Sequence, residues 1–234
     1  MSTDPTPGHA VVTGATGGIG QAIVQRLLDG RWRVTGLDLG PAVTRHPAYR
    51  HVTVDLCDDA ATHRALQGLD NATALVHAAG LLRVESLEQW EFDNGELMWK
   101  LHVDAAVRLT RDLAPAMVAQ GGGRVVLVGS RVAQGMPGRG QYAASKAALV
   151  AVARSWGAEL AGQGVTVNVM SPAATQTGML EDPARAVSPA RMPPIGRLIQ
   201  PGEIAALVAF LLSAEAAAIT GQDIAICGGG SLPR

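Results

Sequence analysis

The sequence predicts an α/β protein, a single doubly wound domain with a parallel seven-stranded sheet and helices on both faces. Short apolar runs alternate with longer amphipathic segments along the 234 residues, the order of a parallel sheet joined by crossover helices. The strand-like runs are continuously apolar, as in Ala10-Val11-Val12 and Val125-Val126-Leu127-Val128, which suits strands covered on both sides. No repeat, low-complexity tract or linker divides the chain, and its length is that of one domain.

Residues 9–13 read as the first strand and 18–28 as the helix after it. Residues 31–38 and 50–54 give the second and third strands, followed by a helix through Thr62 and Leu66. The fourth strand is 72–77, and a long helix covers 97–119. The fifth strand is 124–128, a second long helix 141–160, and the sixth strand 165–169. Pro201-Gly202-Glu203 opens a helix that runs to 212, since proline in a first turn lacks only an amide hydrogen that the turn does not use. Residues 223–226 form the last strand. Residues 1–8, polar with two prolines, are expected to be a flexible extension without the apolar stretch of a secretory signal, and the domain to run over 9–234. The connection from Ser171 to about Gln200 is long for a compact domain, and residues 175–200 are expected to form a substrate loop.

Apolar residues make up 47% of the chain and charged ones 17%, enough for a sizeable core and against disorder. Nineteen basic and twenty acidic residues leave a formal charge of −1 with no run of either sign, so neither a nucleic-acid groove nor a membrane anchor is expected. The apolar stretch 204–212 is too short to span a bilayer. Cys57 and Cys227 lie far apart without a disulfide-rich spacing, which points to a reduced compartment and a cytoplasmic location. No metal is expected.

Thr13-Gly14-Ala15-Thr16-Gly17-Gly18-Ile19-Gly20 joins the first strand to the first helix. Glycines there let the backbone turn tightly and approach a pyrophosphate, and the helix N-terminus offers amides and a partial positive charge. Asp38 ends the second strand 18 residues after Gly20. Its carboxylate can accept from both hydroxyls of an adenosine ribose and repels a 2′-phosphate, and no Lys or Arg lies in the glycine turn. Both features favour NAD over NADP. The plainer alternative is that Asp38 only ends a strand before Gly40-Pro41. Asp55, after the third strand and beside Leu56, is a candidate for the adenine amino group or, equally, for a helix cap near Asp58.

The chain has two tyrosines and two lysines, and one of each forms Tyr142-Ala143-Ala144-Ser145-Lys146. Chance predicts roughly 0.02 such pairs. Positions i and i+4 share a helix face, so the ammonium stands beside the phenol, favours its phenolate and lowers its pKa. With 17 arginines against two lysines, lysine at 146 looks chosen: a compact ammonium can donate to ribose hydroxyls, whereas a guanidinium fork has another shape. The alternative is a solvated helix pair. Ser130 ends the fifth strand, where strand C-termini face the ligand crevice, and its hydroxyl can polarise a substrate oxygen.

The set Thr13 to Gly20, Asp38, Ser130 and Tyr142 to Lys146 resembles the short-chain dehydrogenase/reductase family over nearly the whole chain, and with it a Rossmann-like fold. The resemblance implies that Tyr142 is the acid/base, Ser130 the stabiliser of the carbonyl or hydroxyl, and Lys146 the ribose ligand that tunes Tyr142. It places Pro172, Thr175 and Thr177 at the nicotinamide and phosphates. His77-Ala78-Ala79-Gly80 matches the family's Asn-Ala-Ala-Gly turn. With Gly14, Thr16, Gly18, Ile19, Gly20, Asp38, Asp55 and Leu56, these residues form the expected cofactor contacts. Three departures stand out: His77 replaces the asparagine of that turn, Ala173 replaces the glycine after Pro172, and His102 stands at the position of a fourth catalytic residue, an asparagine that helps hold a water. An imidazole can also bond water, so His102 is a catalytic candidate with an altered relay; the alternative is a packed helix residue.

Within the family, Ala78-Ala79-Gly80-Leu81-Leu82-Arg83 and the stretch from Ser171 to Met179 look like bacterial dehydrogenases of cyclic dihydrodiols, such as 2,3-dihydro-2,3-dihydroxybenzoate dehydrogenases. Arg83, Arg131 and Arg139 fall on sheet-end loops, and an arginine fork suits a carboxylate, so an acidic hydroxylated substrate is expected; ordinary surface arginines are the alternative. The expected activity is NAD-dependent interconversion of a secondary alcohol and a ketone. The rivals are an NADPH-dependent 3-oxoacyl-thioester reductase and a non-catalytic dinucleotide-binding regulator. A homotetramer or homodimer is expected from family habit, through the long helices with their alanine-rich faces.

Overall fold

The computed structural model describes residues 8–180 and 191–232. Residues 1–7 of the expected extension and 181–190 of the expected substrate loop lie outside the described residues. Seven strands form one sheet in the order β3-β2-β1-β4-β5-β6-β7, and every neighbouring pair is parallel. They are β1 (His9–Thr13), β2 (Arg33–Asp38), β3 (Tyr49–Thr53), β4 (Ala74–His77), β5 (Gly123–Val128), β6 (Val165–Pro172) and β7 (Asp223–Ile226). The helices are α1 (Gly18–Asp29), α2 (Asp59–Leu66), α3 (Phe92–Trp99), α4 (Ala105–Ala119), α5 (Gly140–Leu160) and α6 (Pro201–Leu212).

Alternation of side chains along the strands divides the core in two. Ala10, Val12, Val34, Val76, Val126 and Met170 pack with Ile23 and Leu27 of α1 and Ile204 and Val208 of α6. Val11, Leu75, Val125, Leu127 and Val167 pack with Leu109 and Met117 of α4 and Leu149 and Ala153 of α5. Both faces are therefore dry along the central strands, which is why those strands read as apolar runs. The strand order turns back between β1 and β4, and there the register sets Thr13 opposite both Leu37 and His77. A crevice opens at the strand C-termini beside such a switch point.

Boundaries shift by one or two residues from the sequence expectation at several elements, β2 among them, and by more at β6 and the helix expected at 97–119. β2 starts at Arg33 because Arg31, just after α1, takes φ 63° and breaks the extended run. β6 runs on through Ser171 and Pro172, which pair with Ala225 and Ile226, so the long connection begins later than expected. The helix expected at 97–119 begins at Phe92 and is interrupted by a π-turn, Lys100–Asp104, between α3 and α4. The two ends of the connection after β6 meet in a bridge between Thr175 and Ile199. Among the described residues no helix is long and apolar enough to cross a membrane.

The turn between β1 and α1 depends on close backbone approach. Gly14 has φ 63° and donates its N–H to the Leu37 carbonyl at 2.9 Å. A Cβ on Gly20 would lie 1.9 Å from the Gly14 carbonyl oxygen. Gly20→Ala is therefore expected to displace the whole turn and cost about 1–3 kcal/mol in urea unfolding.

Candidate active site

A cleft of about 280 Å³ opens at the C-terminal ends of β5, β6 and β7. Ser130, Arg131 and Val132 reach it from the segment after β5, Pro172 to Thr175 and Thr177 from the end of β6 and just beyond, and Cys227 and Gly230 from beyond β7. Tyr142 enters from α5, Ile19 from α1, and Arg191 to Pro194 from the return of the long connection.

The first turns of α5 carry the central pair. Alanines at 143, 144, 147, 148 and 151 favour helix, and Leu149 and Ala153 of the same helix pack into the core. Lys146 lies one turn beyond Tyr142, with Nζ 5.9 Å from the phenol ring centroid. The amine is 4% exposed and donates to the Val128 carbonyl at 2.8 Å. Burial pushes its pKa down to about 7. Ser130, itself buried, caps the short turn Arg131–Gln134: its Oγ accepts the Val132 N–H at 3.1 Å, which leaves its own hydrogen to donate.

The glycine turn has the shape a dinucleotide needs. A Cβ on Gly18 would lie 2.8 Å from Thr177 Cγ2, so the helix start and the segment after β6 form one narrow cradle. Gly17 at the N-cap makes no side-chain bond to the first-turn amides of α1, which suits an anion there. Asp38 braces this cradle. Its Oδ2 accepts the Thr16 N–H at 2.9 Å and its Oδ1 the Gly40 N–H at 3.0 Å, and each oxygen keeps lone-pair capacity for a ribose hydroxyl. Asp55 is exposed and accepts the Cys57 N–H at 2.8 Å; the cap of α2 is Asp58, which accepts the Ala61 N–H at 2.9 Å. Leu56 is buried beside it and its carbonyl accepts from Arg108. After β4, the Ala78 and Ala79 amides both donate to Thr13 Oγ1 at 3.1 Å, and Gly80 passes Lys146 so closely that a Cβ would be 3.4 Å from Nζ.

Two expected site residues, Arg83 and His102, stand outside the cleft. Arg83 is exposed and borders a neighbouring dent with Glu85, Trp90 and Gln141; Arg131 and Arg139 do line the cleft. His102 does not line the cleft and does not offer a ring nitrogen to water. It is fully buried, its Nε2 accepts the Leu81 N–H at 3.1 Å, and its Nδ1 bonds Ser145 Oγ at 2.9 Å. Sequence reasoning missed Arg191 and Cys227. Cys227 follows directly on β7, and the rule that parallel strands end at the crevice could have found it. Burial raises its thiol, but hydrogen bonds from Ser231 and the Gly229 and Gly230 amides outweigh this and leave it below the usual range.

A family model described as enoyl-(acyl carrier protein) reductase matches residues 14–231. The chain belongs to the short-chain dehydrogenase/reductase family. It is 34% identical to a 2,3-dihydro-2,3-dihydroxybenzoate dehydrogenase of Escherichia coli (strain K12), covering 94% of this chain and 96% of that one. It is 32% identical to a 3-oxoacyl-(acyl-carrier-protein) reductase of Salmonella typhimurium over the same shares of the two chains. A 3-ketoacyl-(acyl-carrier-protein) reductase from Brucella melitensis, solved with NADH, superposes with a TM-score of 0.87 at 26% identity, over 96% of this chain and 98% of that one. As a member of this short-chain family the protein is an NAD(P)-dependent oxidoreductase acting on CH–OH groups.

The buried amine has a cost that can be measured. Between about pH 7 and the unfolded value of 10.5, the unfolded chain holds a proton on Lys146 that the folded chain lacks, so this group makes stability rise with pH across that window. Lys146→Met is expected to remove that rise and to increase Tm by about 3 °C at neutral pH, while turnover is lost. Thermal unfolding of both proteins across the window checks this.

Proposed function

We propose that the protein is an NAD-dependent dehydrogenase that interconverts a secondary alcohol and a ketone on a cyclic or acidic hydroxylated substrate such as a dihydrodiol. The observation that carries this reading is the meeting of Ser130 and Tyr142 in one cleft, with Lys146 buried one turn from the phenol. The nicotinamide, when bound, supplies the hydride acceptor. Held by the glycine turn, Asp38, Thr175 and Thr177, the dinucleotide would lie along the crevice toward Tyr142. In the direction of oxidation, the Tyr142 phenolate takes the proton of the substrate hydroxyl while the Ser130 hydroxyl donates to the substrate oxygen. The positive form of Lys146 favours the phenolate, and an amine that titrates near neutrality can also pass that proton on.

Asp38 at the end of β2, with no Lys or Arg in the glycine turn, supports NAD over NADP. Arg131, Arg139 and Arg191 line the cleft, and no Asp or Glu stands among its described lining residues, which supports an anionic substrate. A second reading, reduction of a 3-oxoacyl thioester, draws on the likeness to acyl-carrier-protein reductases and on Met136, Met179, Leu180 and Met192, which make one part of the cleft apolar. Turnover of a cyclic diol acid against an acyl thioester separates the two.

A cytoplasmic location belongs to the same reading, with Cys57 and Cys227 both free thiols. So does assembly into a homodimer or homotetramer. A groove of about 480 Å³ between α4 and α5 is lined by Val107, Ala114, Val118, Trp156 and Leu160, a surface suited to a second copy. Light scattering should give two or four chains, and Val107→Glu should lower that number.

Tyr142→Phe removes the exchangeable proton and little else. It is expected to lower kcat by about a thousandfold while NADH still binds, and fluorescence titration should show NADH binding more tightly than NADPH in both proteins. Retained turnover in this variant would end the assignment of Tyr142.

A further inference from the structure

Two buried imidazoles meet at the π-turn Lys100–Asp104, and the chemistry above uses neither. His77 ends β4 and His102 lies within the turn, and both are fully enclosed. Every ring nitrogen has a partner, and the partners dictate where the protons sit. The Leu81 amide donates to His102 Nε2 at 3.1 Å, so the proton of His102 lies on Nδ1 and is donated to Ser145 Oγ at 2.9 Å. Ser145 Oγ donates in turn to the Tyr142 carbonyl at 2.9 Å, and the His102 ring meets the Tyr142 ring edge-on, with centroids 5.6 Å apart. His77 takes the opposite tautomer. Its Nε2–H donates to the Leu101 carbonyl at 3.1 Å, and its Nδ1 accepts from the Thr13 hydroxyl at 2.9 Å, the same hydroxyl that receives the Ala78 and Ala79 amides.

We propose that His77 and His102 act together as a positioning pair that clamps the turn after β4 to the start of α5, and so sets where the Tyr142 hydroxyl and the Lys146 amine stand in the cleft. The clamp is continuous: Thr13 and the turn hold His77, His77 holds the π-turn at Leu101, and the next residue, His102, holds both Leu81 and Ser145. Gly80 completes it, since a Cβ there would lie 3.1 Å from His102 Nε2. The pair works only while both rings are neutral, because each must accept one hydrogen bond as well as donate one. Burial, aided by the nearby Lys146 charge, keeps His77 at about 3 and His102 well below the ordinary imidazole range. This rests on the reading of Tyr142 as the acid/base.

Glutamine carries its amide near the Nε2 position of histidine and asparagine near Nδ1, so each substitution at 102 keeps one link. His102→Gln retains an acceptor for the Leu81 amide, and His102→Asn a donor for Ser145. A clamp needs both links. Each variant is therefore expected to lose about tenfold in kcat with KM for NAD changed less than about threefold, and His102→Ala to lose little more than either. Near-native turnover in the Gln and Asn variants, with the damage confined to alanine, would mean that the ring only fills space and would overturn the proposal. His77→Ala with His102→Ala should cost no more than the worse single change, and multiplied losses would separate the pair. Long-range ¹H–¹⁵N spectra of the wild-type imidazoles at neutral pH give a readout independent of turnover. They should show a proton on Nδ1 of His102 and on Nε2 of His77; like tautomers or charged rings would refute the clamp even if the alanine variants fail to fold. Failure of the Tyr142 reading is seen separately, as turnover retained by Tyr142→Phe.

Discussion

The site depends on keeping one amine out of water. Lys146 is buried where the fifth strand ends, and its amine donates there to the Val128 carbonyl. An ammonium in so dry a place is destabilised, and its proton becomes exchangeable near neutrality. The same dryness makes its charge felt strongly by the phenol one turn away, because little solvent screens it. The fold thus accepts a residue that is poor for stability at this point.

The surroundings of the amine are arranged to hold it there. The parallel register brings Thr13, His77 and Val128 to one end of the sheet, and the turn after β4 passes directly over Nζ. Thr13 exemplifies the economy of this end: one hydroxyl receives two amides and still donates to a ring nitrogen. The π-turn between α3 and α4 belongs to the same arrangement, since it places Leu101 and His102 toward two different neighbours from adjacent positions. Insertions of this kind in helices recur at functional sites for the reason seen here, a change of direction within one turn.

How much of this was legible in the chain follows from distance along it. The Tyr142–Lys146 pair is local, and helical geometry alone puts the two on one face. The glycine turn and Asp38 are separated by one helix and one strand, a spacing that the βαβ unit makes regular. The central strands were legible because both sheet faces are dry there, so β1, β4, β5 and β6 read as largely apolar runs, while the edge strands β3 and β7 are partly exposed. Arg83 and Arg191 show the opposite case. Both lie in irregular connections, where no period says which way a side chain turns, and the one expected at the cleft borders a neighbouring dent while the other lines the cleft.

By itself, then, the order of residues determined the layers, the parallel sheet, the dinucleotide turn and the tyrosine–lysine pair, because each follows from periodicities and spacings of a few residues to about thirty. Only the tertiary structure decided which groups the two histidines bond. His77 meets Thr13 across 64 residues and His102 meets Ser145 across 43, and hydrogen-bond partners at such separations are chosen by how the sheet and helices close on each other. A ring that looked, on residue type, like a ligand for water turned out to have both nitrogens committed to protein, because in a dry interior every polar atom must find its partner among whatever the fold brings near.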